Sequence, residues 1–250
     1  MQFERKSFPR YLRRSGIQLL TISLLVFIIL IEGYPRKMYE SLRRAVSKDS
    51  TQAYSYQENE YYREQTDFYS LYNSQKNIVM LGNSLTYRIH WSELLGRQDV
   101  ANRGIGSDIT AGFLHRLQSI VTVKPKICFI EGGINDIFHG IPADSTLHNI
   151  SLLADSLRFY GIKVAVNTVA FIAGHHPKAQ NYNPVIQSLN EGIRNLAREK
   201  NLHLVDLNPE IAENNQLKAD CVLSDGIHLT SKAYRVWKKQ VEEILQKEGI

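Results

Sequence analysis

Cysteine is nearly absent: the 250 residues carry only Cys128 and Cys221. Two thiols cannot build the disulfide framework that stabilises small secreted domains. Cys128 lies in the apolar run 127–130, where a small buried thiol is the ordinary reading. A bridge to Cys221 stays open, because sequence does not place the two Cα atoms. Metal-ligand spacing is also missing. His175 and His176 are adjacent rather than a helical turn apart, so they read as a loop, and neither a metal nor a cofactor is expected. Nor does the body of the chain hold a basic excess. The formal charge is +5, but residues 1–44 contain nine basic and three acidic residues, which leaves 21 and 22 for everything after them. A near-neutral body offers no groove to a phosphate backbone, so nucleic acid is excluded as a partner.

One long apolar run is present. Residues 17–31 are interrupted only by Gln18, Thr21 and Ser23, and Arg5, Lys6, Arg10, Arg13 and Arg14 precede them. As a helix, such a run rises about 22 Å against the ~30 Å of a bilayer core, so a span must draw on Gly16, Gly33 and Tyr34 at its ends. The expected organisation is a basic cytoplasmic flank (1–15), a transmembrane signal-anchor (16–34) held in a lipid bilayer, a tyrosine-rich spacer (35–75) and one domain (76–250). A cleaved signal peptide, giving a secreted protein, is the alternative. Against it, no small-residue cleavage site follows Ile31, and Ala45-Val46-Ser47 comes too late. Five basic residues ahead of the run and four behind it favour a cytoplasmic amino terminus with the domain exported to the periplasm or cell surface.

The spacer holds Tyr54, Tyr56, Tyr61, Tyr62, Tyr69 and Tyr72. Its stretch 58–72 lacks Gly and Pro and is expected to form a helix that lays its aromatics on the domain. From Asn77 onward short apolar runs alternate with helical patterns, as in a parallel sheet covered on both faces. The expected strands are 78–81, 100–102, 127–131, 162–169 and 202–207. The expected helices are 92–95, 110–121, 147–160, 184–200 and 231–246. In such sheets ligands bind beyond the carboxyl ends of the strands, so the residues after each strand carry the interest.

Gly82-Asn83-Ser84-Leu85-Thr86 follows the first strand and places a serine on a sharp turn into a helix. By itself this reads equally as a nucleophile or a helix cap. Asn102-Arg103-Gly104-Ile105-Gly106-Ser107-Asp108 follows the second; its small residues let backbone N–H groups converge on an oxyanion, or simply make a turn. Gly132-Gly133-Ile134-Asn135-Asp136 follows the third and offers Asn135 as a neutral donor or an Asx turn. Asp225-Gly226-Ile227-His228 precedes the last helix. Its spacing lets Asp225 orient the His228 ring and leaves Nε2 free to take a proton, although a lone D-x-x-H also describes a surface turn.

Together, in this order, the four blocks resemble the SGNH (GDSL-like) hydrolase superfamily over about residues 77–246. The second block is similar to the branch of platelet-activating-factor acetylhydrolase-like and carbohydrate acetylesterase enzymes. The resemblance implies a flavodoxin-like three-layer α/β/α fold with a five-stranded parallel sheet. It implies Ser84, His228 and Asp225 as catalytic triad, and an oxyanion hole of the Ser84 and Ser107 amides and Asn135, with Gly106 as fallback. It departs from the family pattern at Asn83, where an Asp is usual, and at Ser107, where a glycine is. The segment 171–183, with His175 and Tyr182, is the candidate substrate-binding loop. The expected substrate is a short acyl ester, acetyl on a glycan; lysophospholipase-like or thioesterase activity is the enzymatic alternative. An inactive glycan-binding protein is the alternative of another class. Protease added to intact cells is expected to degrade the domain at 76–250; its full protection would place it on the cytoplasmic side.

Overall fold

The computed structural model describes residues 54–250; the expected basic flank, membrane helix and first part of the spacer fall on residues 1–53, outside the described residues. Among the described residues no helix is long and apolar enough to cross a membrane.

Five strands, β1 (Ile78–Gly82), β2 (Val100–Gly104), β3 (Ile127–Glu131), β4 (Lys163–Asn167) and β5 (His203–Val205), form one sheet in the order β2-β1-β3-β4-β5. Every neighbouring pair is parallel. Strands β1 and β3 are apolar almost throughout because the pleat of the sheet sends alternate side chains into two separate cores. Val79, Leu81, Cys128, Ile130, Val164 and Val166 belong to one core, and Ile78, Met80, Ile127, Phe129, Ala165 and Val205 to the other.

Helices cover both faces. In chain order they are α1 (Glu60–Leu71), α2 (Ser84–Tyr87), α3 (Trp91–Leu95), α4 (Thr110–His115), α5 (Gln118–Val121), α6 (Ile134–Phe138), α7 (Ala143–Phe159), α8 (Ala179–Glu199), α9 (Asn208–Ile211) and α10 (Ser231–Glu248). Helices α4, α5, α7 and α8 supply Phe113, Ile120, Leu153, Ile186 and Ile193 to the first core. Helices α3 and α10 supply Trp91, Tyr234, Trp237 and Val241 to the second, where the two indole rings meet edge to face at 4.9 Å. In α8, buried Ile186, Leu189, Asn190, Ile193, Leu196 and Ala197 mark the i, i+3, i+4, i+7 stripe of an amphipathic helix. The two cysteines are unpaired and buried in different cores.

Several boundaries differ from those read in the sequence, each for a local reason. The helix expected over 110–121 breaks into α4 and α5, because Arg116 at the junction turns its side chain inward to buried acceptors. The helix expected from Pro184 begins a turn earlier, at Ala179, so Pro184 lies inside it. The long strand expected over 162–169 ends at Asn167, where the chain leaves the sheet and the Val169 amide donates to Asn190 Oδ1 of α8. A hairpin not anticipated joins β6 (Ala212–Glu213) to β7 (Gln216–Leu217) through Asn214 and Asn215, both at positive φ as a tight two-residue hairpin turn requires.

The strand order reverses between β1 and β3, opening a crevice at the carboxyl edge where the four sequence blocks lie. Close packing fixes its floor: a Cβ on Gly104 would stand 2.3 Å from the Tyr87 backbone N and 2.6 Å from its Cα. Since α2 cannot yield without moving Ser84, Gly104→Ala is expected to destabilise by about 1–3 kcal/mol. Thermal unfolding should register a melting point roughly 2–12 °C lower.

Candidate active site

Ser84 opens α2 directly after β1, and His228 lies 144 residues later in the turn before α10. The structure brings them together: Ser84 Oγ is 3.1 Å from His228 Nε2. On the other side of the ring, His228 Nδ1 is 2.6 Å from Asp225 Oδ2. Asp225 Oδ1 accepts the backbone N–H groups of Ile227 and His228, each at 2.9 Å. Partial burial works against the charged form, but these amides and the ring outweigh it and hold the Asp225 carboxyl down at about 2. An ionised carboxylate can only accept, so it selects the tautomer with Nδ1–H donating to Asp225 and Nε2 accepting the Ser84 hydroxyl proton. The 222–229 turn carrying both groups is closed by the bridge between Val222 and Leu229 and by the Leu223 N–H donating to His228 O at 2.7 Å.

The turn before Ser84 is buried and polar. Asn83 Oδ1 accepts the Leu85 N–H at 2.8 Å as a helix cap, the use expected of an acceptor at this position. Its amide also donates to Glu131 Oε1 at 3.0 Å, while Thr86 Oγ1 donates to Glu131 Oε2 at 3.1 Å. A carboxylate at 83 would face Glu131 at the same spacing, so Asn is the side chain that satisfies both the cap and the glutamate. Burial pushes Glu131 up to about 7, against the hydrogen bonds from Thr86 and Asn83.

The loop after β2 supplies Gly106 and Ser107. Ser107 has φ +61°, the left-handed region that costs a residue with a Cβ roughly 1–2 kcal/mol. Gly106 is not at positive φ, so the turn's unusual conformation falls on the serine. Asn135, in the first turn of α6, donates from Nδ2 to Asp108 O at 2.9 Å, which ties the two loops together. Asp108 is itself buried and pairs with Arg116 at 2.8 Å; burial lifts its carboxyl to about 6 against the pull of the guanidinium. Asp136, beside Asn135, accepts from the Thr110 backbone N–H at 3.1 Å.

His175 and Tyr182 lie around this region through different contacts. His175 Nε2 is 3.2 Å from Ser224 O, next to Asp225. Tyr182 packs on Phe138 at 5.1 Å, three residues beyond Asn135, and Lys178 lies over its ring. Glu131, Arg116 and Thr86 were not anticipated as parts of the site. A charged residue ending the apolar run of β3 was a readable signal for Glu131; Arg116 sits in a helical pattern that predicts an exposed side chain. Among the described residues, no three His, Cys, Asp or Glu side chains are grouped so as to hold a metal ion.

The model of the GDSL-like Lipase/Acylhydrolase family matches residues 80–236. An N-acylneuraminate cytidylyltransferase of Streptococcus agalactiae is 23% identical over 172 residues, covering 69% of this chain; the chain spans only 39% of that relative's length. Platelet-activating factor acetylhydrolase IB subunit alpha1 of Bos taurus is 26% identical, covering 65% of this chain and 72% of its own. A solved acetyl-xylooligosaccharide esterase from a Geobacillus species is similar in fold, with a TM-score of 0.59 at 16% identity, covering 71% of this chain and 96% of that one.

The buried glutamate gives a pH test. A folded-state pKa of about 7, above the ordinary carboxylate range, favours the neutral form in the fold. Its contribution is complete below the unfolded value and is lost as pH rises through about 7. Gln cannot ionise, so the melting temperature of Glu131→Gln, taken relative to the parent, is expected to rise between pH 5 and pH 8. A difference independent of pH would show that Glu131 does not titrate there.

Proposed function

The chain belongs to the GDSL-like lipase/acylhydrolase family, and from that premise we propose that it is a carboxylic ester hydrolase with Ser84 as nucleophile, His228 as general base and Asp225 as the carboxylate that orients the base. The hydrogen-bonded path from Ser84 Oγ through the imidazole to Asp225 carries this reading. His228 Nε2 takes the Ser84 proton as Oγ attacks the acyl carbonyl, and Asp225 stabilises the imidazolium. The tetrahedral oxyanion is held by the backbone N–H groups of Ser84 and Ser107 and by Asn135 Nδ2. His228 returns the proton to the leaving alcohol, and a water molecule then discharges the acyl-enzyme by the same steps.

The substrate reading is an acetyl ester on a carbohydrate, acted on outside the cytoplasm by an enzyme tethered through residues 16–34. Support comes from the names of an acetylhydrolase and an acetyl-xylooligosaccharide esterase among the similar proteins, and from the basic-then-apolar amino terminus.

Two measurements check this. Ser84→Ala is expected to abolish acyl-enzyme formation and fluorophosphonate labelling, and Asn135→Ala to lower kcat by about 10²–10³-fold, as loss of one oxyanion donor does. Parent-like hydrolysis of a p-nitrophenyl ester by Ser84→Ala would remove the nucleophile assignment. The parent should prefer acetyl over decanoyl esters; the reverse preference would favour a lipid substrate.

A further inference from the structure

The tyrosine-rich stretch 54–72 precedes the residues that the family model covers. Three of its tyrosines donate their hydroxyls to backbone carbonyls along one stretch: the end of β2, the loop after it and the first turn of α4. Tyr69 donates to Gly104 O at 2.5 Å, where the loop begins, and Tyr62 to Gly112 O at 2.8 Å, just beyond its far end. Both rings are buried, packed with Ile105. Tyr54 reaches the middle and donates to Ser107 O at 3.0 Å.

Ser107 is the residue held at φ +61°. A serine prefers to leave that conformation, and doing so would rotate the peptide units on either side, including the N–H assigned to the oxyanion. The bond from Tyr54 to the Ser107 carbonyl resists this rotation. The Tyr54 ring also stacks on His139, with centroids 3.8 Å apart and planes 9° from parallel. His139 follows Asn135 by one helical turn, and its N–H donates to the Asn135 carbonyl at 2.9 Å. One side chain from outside the matched region thus touches both segments that supply oxyanion donors.

We propose that Tyr54 is a positioning residue of the oxyanion hole: its hydroxyl holds Ser107 in the left-handed conformation, and its ring fixes that loop against the helix bearing Asn135. The inference rests on the assignment of Ser107 and Asn135 as oxyanion donors. It gives the stretch 54–72 a part in turnover that a passive spacer lacks.

The test is a double-mutant cycle on the full chain with an acetyl ester, since glycine adopts positive φ without penalty. Tyr54→Phe keeps the stacked ring and removes only the hydroxyl. It is expected to lower kcat about three- to tenfold, the range for loss of one hydrogen bond, with KM changed less than twofold. In a Ser107→Gly background the same substitution is expected to change kcat less than twofold, because the backbone no longer needs holding. An equal loss in both backgrounds, no loss in either, or a change confined to KM would overturn the proposal. Asn135→Ala separates the two levels. If it costs less than tenfold, the oxyanion assignment itself fails; if it is crippled while Tyr54→Phe is parent-like, only the clamp fails.

Discussion

Arg116 lies fully buried, and its guanidinium donates to three acceptors from three segments: Asp108 Oδ2 and Arg103 O, both at 2.8 Å, and Gly82 O at 3.1 Å. Gly82 ends β1 just before Ser84, Arg103 lies near the end of β2, and Asp108 follows Ser107. A buried guanidinium without these acceptors would be prohibitive, so the charge obliges the ends of β1 and β2 and the loop that follows β2 to keep one arrangement. It also ends α4 where the helical pattern would have continued. The crevice floor is thus set by the solvation needs of one cation as much as by apolar packing.

On that floor, polar groups are satisfied in pairs. Asn83 answers both the Leu85 amide and Glu131, Asn135 spans to Asp108 O, and Asp136 takes the Thr110 amide. Buried networks of this kind are costly when half-made and specific when complete. They explain why neutral asparagines stand beside buried acids in this site. The unfavourable conformation of Ser107 is carried by the same scaffold, with rigid strands on one side and Tyr54, ahead of α1, on the other.

The sheet, its two covered faces and the four strand-end blocks were legible in the sequence because their signals are local: short continuous apolar runs, glycines at sharp turns and a carboxylate three residues before an imidazole. The contact between Ser84 and His228 is the one that the family resemblance of these blocks implied. What stayed hidden was non-local. Arg116 reads as a solvent-facing residue until its acceptors are assembled by β1 and β2. Tyr54 reads as spacer until the fold places Ser107 beneath it. Helices α2, α6 and α9 have only four or five residues, too short for periodicity to mark. Pro184 suggested a helix start by its usual preference for a first turn, whereas α8 accommodates it after one turn has formed. The Asn214-Asn215 hairpin was readable from residue type and went unread.

The 222–229 turn has a further consequence. Asp225 is gripped by the amides of its own turn, and the turn is closed by its own backbone bonds, so most of the acid–base half of the site is built locally, just before α10. Its outer side is braced by the candidate substrate loop itself, where the Ala173 N–H donates to Gly226 O at 2.8 Å and His175 Nε2 lies 3.2 Å from Ser224 O. Exchange of that loop to redirect specificity would therefore have to keep residues 173–175 in place, and draw its variation from the rest of the segment, if the proton-handling unit is to stay intact.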